Sequence, residues 1–223
     1  MILNEAPAVY LGSDGVEAIY LGSEKVWPSG GEYTPIDWIG ANGTQYIDTG
    51  YTPQSSSTKV EIYANVIGGG AYKRLISCGS FGIGTYWSSV AYLYGLEIYL
   101  SYGQTFARIG EFSPSQDEPI FLITAQLSPS GSSMSAKGQS TTASGADASA
   151  GASSYCIFAD ASGGSAQYFI SAKVASCKIY DNGTLVRDLV PMIRNFDSKP
   201  GLLDNVTQQF YTNAGTGEFD VPT

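Results

Sequence analysis

Histidine is absent from this 223-residue chain. With it go the most frequent general base, the usual activator of a serine or cysteine nucleophile and the commonest zinc ligand. Charge is scarce too: only 14% of residues are Asp, Glu, Lys or Arg, with 20 acidic against 11 basic and a net charge of −9. The basic residues are scattered, so no patch can neutralise a run of phosphates, and neither nucleic acid nor an anionic membrane surface is an expected partner. No stretch approaches the ~18 apolar residues that a membrane span requires. Met1-Ile2-Leu3-Asn4-Glu5 lacks the basic start and long apolar run of a secretory signal. A soluble protein folded in a reducing cytoplasm is expected. Cysteine is limited to Cys78, Cys156 and Cys177, an odd and irregular set that reads as three small core residues, not as a disulfide framework. In that setting the Asn-X-Ser/Thr sequons at Asn42, Asn182 and Asn205 read as turn chemistry.

Strand and turn formers are abundant. Hydrophobic residues make up 43% of the chain, alongside 27 glycines and 16 tyrosines, which favours β-structure over helix. The first thirty residues carry a tandem repeat. Val9-Tyr10-Leu11-Gly12-Ser13-Asp14-Gly15-Val16 is echoed ten residues later by Ile19-Tyr20-Leu21-Gly22-Ser23-Glu24-Lys25-Val26. Each copy is an apolar triplet, a Gly-Ser-acidic turn and a valine that starts a return strand, so each predicts a short hairpin. Such a ribbon is marginal alone. Tyr10, Leu11, Tyr20, Leu21 and Trp27 are therefore the candidate anchor residues, burying against a partner surface. Pro28-Ser29-Gly30-Gly31 reads as a flexible joint, which divides the chain into an arm over 1–30 and a domain over 31–223. The alternative is that these strands simply extend the main domain.

From Ile36 onward the apolar period is two. Val60, Ile62, Ala64 and Val66 share one face, with Lys59, Glu61 and Asn65 opposite. Phe121, Ile123, Ala125 and Leu127 point inward, with Thr124 and Gln126 outward. Leu96, Ile98 and Leu100 alternate with polar neighbours. Tyr155–Ala159 is apolar throughout and suits a strand covered on both faces. Residues 168–180 predict a long strand whose alternation slips near Ala175, where a bulge would restore Cys177 and Ile179 to the interior. The Ser/Ala/Gly-rich stretch 128–154 is read as thin strands with a loose tip. Val60, Ile62, Phe121, Ile123, Phe158 and Ile179 are the expected core. These features predict an all-β, two-sheet antiparallel sandwich with a short N-terminal β-arm.

Little in the chain suggests catalysis. No Gly-rich phosphate loop opens a helix, and Asp37, Asp48, Asp160, Asp181, Asp188 and Asp204 form no paired cluster on one strand. Asp181, before Asn182-Gly183, reads as a turn residue. No cofactor and no metal site is expected, although Asp48 or Asp160 could contribute to a calcium loop. The aromatic residues Tyr86, Trp87, Tyr92, Tyr94, Tyr99 and Tyr102 crowd residues 85–102. They suit core or subunit contacts, or the apolar faces of sugar rings; Tyr86, Trp87 and Tyr102 are the candidate carbohydrate contacts.

Three stretches carry a resemblance. Gly43-Thr44-Gln45-Tyr46-Ile47-Asp48-Thr49-Gly50-Tyr51-Thr52-Pro53 resembles the opening strand of concanavalin A-like (laminin G-like) domains of bacteriophage structural proteins. Ala175–Pro191 resembles their closing strands. Gly201-Leu202-Leu203-Asp204 with Gln209–Phe219 resembles their C-terminal signature, and the Tyr-Leu-Gly-Ser repeat is similar to the leaders of phage fibre and capsid-associated proteins. The resemblance implies a concanavalin A-like jelly roll whose first and last strands are neighbours. It implies a capsid- or tail-attached fibre or decoration of the virion, assembled in the cytoplasm of a bacterial host, with the arm joining other virion proteins and a homotrimer as the oligomer. The alternative it leaves open is a receptor-binding adhesin for cell-surface or mucus glycans. A glycan-cleaving enzyme is the third reading.

Overall fold

The computed structural model describes residues 10–11, 14–15, 19–21, 24–27, 32–68, 72–79, 81–88, 93–100, 104–112, 119–145, 147–150, 152–160 and 165–223. For 10–27, 86–107 and 110–112, only the described backbone is used below. Two hairpins come first: β1 (Tyr10–Leu11) with β2 (Asp14–Gly15), and β3 (Ile19–Leu21) with β4 (Glu24–Trp27). Among the described residues each repeat copy thus forms its own two-stranded sheet, paired with neither main sheet. The expected hairpins are present.

The main domain follows with β5 (Tyr33–Pro35), β6 (Ile39–Asn42), β7 (Ile47–Asp48), β8 (Thr58–Gly68), β9 (Lys73–Ser77), β10 (Phe81–Ser88), β11 (Leu93–Leu100), β12 (Gln104–Phe112), β13 (Phe121–Leu127), β14 (Ser132–Ala136), β15 (Gln139–Ala143), β16 (Cys156–Ile157), β17 (Ser171–Asp181), β18 (Thr184–Arg194), β19 (Lys199–Asp204) and β20 (Phe210–Thr212). Among the described residues there is no helix. One sheet runs β12-β11-β10-β9-β16-β7. The other runs β15-β14-β13-β8-β17-β18-β19-β20, with β5 paired to β18 and β6 to β17. Every strand pair is antiparallel. The chain crosses between sheets after β6, β7, β8, β12, β15 and β16, which gives the expected antiparallel jelly-roll sandwich.

The core lies between the sheets and follows the two-residue period. Val60, Ile62, Ile123, Ala125, Val174 and Ile179 from the larger sheet meet Leu75, Ile76, Phe81, Ile83 and Ile157 from the smaller one. The Tyr155 ring packs edge-on to Phe81, with ring centroids 6.4 Å apart. Its hydroxyl meets Thr58 Oγ1 at 3.1 Å, so the one polar atom of this buried side chain is satisfied across the layers. Cys78, Cys156 and Cys177 are buried free thiols. Burial pushes the Cys156 thiol up to about 12, which leaves it unreactive at neutral pH.

The register of β17 shifts between Val174 and Ser176, which places the bulge at Ala175 as the alternation requires. Ala172, Val174, Cys177 and Ile179 all reach the core. Tyr155–Ala159 is buried at every position around the two-residue β16. The Asn182–Gly183 turn joins β17 to β18 with φ of 47° and 77°, the left-handed pair of a type I′ hairpin. The Ser-rich stretch forms the β14–β15 hairpin, turning at Lys137–Gly138. Ser132, Met134 and Ala136 face inward.

Two expectations need correction. Phe121 is only half-buried. It opens β13 at the margin of the inner face, and Lys137 Nζ sits 4.6 Å from its ring centroid. Asn65 keeps its outward register but is buried. It lies opposite Lys173, whose ammonium sits 4.5 Å from the Trp38 ring centroid, so the outer face is covered at that end.

The two phenotypes should separate. Ile123→Ala should cost about 2–5 kcal/mol in urea denaturation, the range for a fully buried aliphatic residue. Phe121→Ala should cost clearly less. Equal losses would contradict the placement of Phe121 at the margin.

Candidate functional site

The last strands are tied to the first by charged and polar side chains. Arg187 on β18 donates from Nε and from Nη2 to the Thr49 carbonyl, each at 3.2 Å, and from Nη1 to its neighbour Val186 at 2.8 Å. Its Nε lies 3.5 Å from Asp204 Oδ2, and its guanidinium stands 5.0 Å from the Tyr51 ring centroid. Asp204 is fully buried. It accepts from the backbone of Asp188 (2.9 Å) and Val206 (3.0 Å) and from Thr207 Oγ1 (2.7 Å). The closing strand β18, in the larger sheet, is therefore near the opening segment, which carries β7 of the smaller sheet, as expected. Asp204 is a structural carboxylate.

Asp181 goes beyond the turn role read for it. Its carboxylate accepts from Tyr51 Oη (2.5 Å), from the Gln54 backbone (2.7 Å) and from Ser55 Oγ. Burial alone would push this carboxyl up, but the Ser55, Tyr51 and Gln54 hydrogen bonds hold it below its usual range. The same pair raises the Tyr51 phenol, through burial first and the Asp181 bond second. Asp48 is used locally, its Oδ1 accepting from Gly50 at 2.9 Å. Among the described residues no three potential metal ligands gather.

A cleft of about 380 Å³ opens between the β18–β19 turn and the loop after β20. Its walls are fixed from within. Asn213 Oδ1 accepts from the Tyr46 backbone (3.1 Å) and the Gly215 backbone (2.8 Å), while Nδ2 donates to the Gly217 carbonyl (2.9 Å). Gln45 Nε2 holds the Glu218 carbonyl at 2.9 Å. Across the cleft, Asp197 receives Arg194 Nε (3.1 Å) and Nη2 (2.7 Å). Burial opposes the Asp197 charge, but the Arg194 bonds hold its carboxyl below the ordinary range. Arg194 itself stands 4.5 Å from the Phe196 ring and 5.2 Å from Phe210. The Phe210 ring lies over Gly201, where a Cβ would collide with it and with the Tyr211 carbonyl. The floor is Pro200 and Phe219, and the rim carries Ser198, Lys199, Thr212 and Glu218.

The residues singled out from sequence lie elsewhere. Tyr86 and Trp87 stand opposite Gly95 and Tyr94 in the β10–β11 pair, and their side chains lie outside the described residues, as does Tyr102. Tyr10 and Leu11 are in β1, Tyr20 and Leu21 in β3, and Trp27 ends β4 opposite Ile19. Their side chains are likewise outside the described set. The cleft residues were not anticipated as a site. Their signal was present in Gln209–Phe219, where four small residues, Ala214-Gly215-Thr216-Gly217, separate Asn213 from Glu218.

No family model and no curated protein matches this sequence. Among solved structures, the native heptameric SAP-like pentraxin from Limulus polyphemus is similar over 65% of this chain and 74% of its own, at 13% identity and a TM-score of 0.46. The class assigned here, an antiparallel jelly-roll sandwich, rests on the strand pairing itself.

Two outcomes test these tethers. Arg187→Lys keeps the charge but loses the planar fork, and should lower stability by about 1–3 kcal/mol in denaturant titration. A carboxyl held low in the folded state stabilises above its unfolded value and loses that contribution as pH falls through the folded value. The melting temperature should therefore drop below about pH 4. Asp181→Asn should lower it at pH 7 and flatten the acid drop; an unchanged acid profile would remove Asp181 from the account.

Proposed function

We propose that this chain is a non-enzymatic structural protein of a bacteriophage-like particle, a capsid- or tail-attached fibre or decoration. Residues 1–30 join it to other virion proteins, and the domain over 31–223 is displayed outward. The observation that carries this reading is the tandem repeat, whose copies form two self-contained two-stranded sheets joined to neither sheet of the sandwich. Ribbons of that size need a partner surface. Covering Tyr10, Leu11, Tyr20, Leu21 and Trp27 would supply several kcal/mol at ~25 cal/mol per Å² of apolar area, before ordering costs. The sandwich, tied shut by Arg187 and Asp204, does not depend on those ribbons for its own pairing. The absence of histidine fits a display role. A receptor-binding adhesin for surface glycans is the second reading, favoured by the cleft between Lys199 and Glu218.

Deletion of residues 1–30 tests the attachment. The truncated chain should retain the full-length denaturation profile yet fail to co-purify with particles from a producing host. Normal incorporation would place the anchor elsewhere, and loss of folding would make the hairpins part of the core.

A further inference from the structure

The cleft beside β19 and β20 is built as a site with polar groups left over. The groups that hold its walls are fully engaged: both ends of the Asn213 amide are used, and the Asp197 carboxylate is taken by Arg194 and by the Lys199 backbone at 3.3 Å. The Lys199 ammonium, the Glu218 carboxylate and the Ser198 and Thr212 hydroxyls, by contrast, make no hydrogen bond or ion pair among the described residues. They rim an apolar floor of Pro200 and Phe219, and Phe219 is braced from below by Phe158, with ring centroids 5.7 Å apart.

We propose that this cleft binds a neutral pyranose of a surface glycan, with Glu218 accepting from adjacent ring hydroxyls and Lys199 donating to a ring or hydroxyl oxygen. The assignment rests on the adhesin reading and not on the arm. Three features select the ligand. A carboxylate has two oxygens able to accept from neighbouring hydroxyls, and an ammonium has only donors; a polyol satisfies both, whereas a hydrocarbon satisfies neither. The charge is balanced by count, Arg194 and Lys199 against Asp197 and Glu218, and the chain as a whole carries −9. A polyanionic glycan would therefore be repelled at long range. The volume of about 380 Å³ lies at the small end of ligand sites, which run from about 300 to 1,000 Å³. One or two sugar rings fit, with the C–H face of one over Pro200 and Phe219. The clamped walls mean that little ordering is needed on binding.

The full-length protein would be titrated by calorimetry and saturation-transfer NMR with neutral disaccharides of glucose, galactose and mannose, and with a glucuronic acid-containing disaccharide as comparator. At least one neutral disaccharide should bind with a Kd on the order of millimolar. Glu218→Gln and Lys199→Met should each weaken that binding about tenfold or more, with unchanged melting temperature because both side chains are exposed. Tyr63→Ala, at an exposed position on β8 away from the cleft lining, should bind like the parent. The proposal is overturned if no neutral disaccharide binds, if only the glucuronic acid compound binds, or if either cleft variant binds as tightly as the parent. Binding of the glucuronic acid compound alone would leave the adhesin reading standing while removing the neutral ligand, so the two fail separately.

Discussion

A single guanidinium ties the opening segment of the smaller sheet to a closing strand of the larger one. A jelly roll brings segments distant in sequence into contact across its two sheets, so those contacts must offset the entropy of closing a long loop. Arg187 and Thr49 are separated by 138 positions, yet two N–H groups of one side chain reach the same carbonyl. The face of that guanidinium meets Tyr51, and its Nε faces the buried Asp204. Neither charge is well solvated, since the Arg187 side chain is 13% exposed and that of Asp204 is 0%. Each is tolerable because the other is present and because Asp204 also takes two backbone N–H groups and a hydroxyl. The net gain of such a pair over an apolar pair is small. Its consequence is register: few other side-chain geometries fit between Thr49, Tyr51 and Asp204.

The cleft is a by-product of that closure. With Thr49 tied to Arg187 on β18, the segment 42–46 lies within reach of the chain beyond β20. The backbones of Thr44 and Tyr46 then bond Thr216 and Ala214, while Gln45 reaches over to Glu218. Gly40 and Asp220 exchange both backbone bonds, at 2.8 and 2.9 Å. The last residues are thus a built wall, and the turn at Asp197 to Lys199 faces it across the cleft. Small residues at 214–217 are what let the wall come so close: a Cβ at Gly215 would run into the Thr44 carbonyl.

The framework was legible where one physical demand dominates. Alternation fixed the inner faces of β8 and β13 because a strand with one wet face has only one workable register. The bulge at Ala175 could be placed because unbroken alternation would have turned Cys177 and Ile179 outward. Legibility failed where position within the sheet, and not period, decides exposure. Phe121 has the right parity but stands at the strand margin, and Asn65 has the outward parity but lies under a covered end. The cleft was hidden for a different reason. Lys199 and Glu218 are single charges in polar, turn-rich sequence, nineteen positions apart, and only the clasp around Asn213 brings them to one rim. Aromatic density drew attention to 85–102, whereas the aromatic rings described around the cleft come singly from Phe196, Phe210 and Phe219.

The hairpins of the repeat and the walls of the cleft differ in how far their hydrogen-bonding groups are engaged. Among the described residues β1–β2 and β3–β4 leave their edges unpaired with respect to both main sheets. A small-ligand site needs the reverse, every wall group engaged so that only the rim is unsatisfied. Around the cleft that condition holds at Asn213, Gln45 and Asp197, whose polar atoms are spent on the backbone or on Arg194. Because those spent groups come from the opening segment, the β18–β19 turn and the last loop together, no shorter piece of the sandwich could present the same rim. The rim is therefore a property of the closed sandwich as a whole.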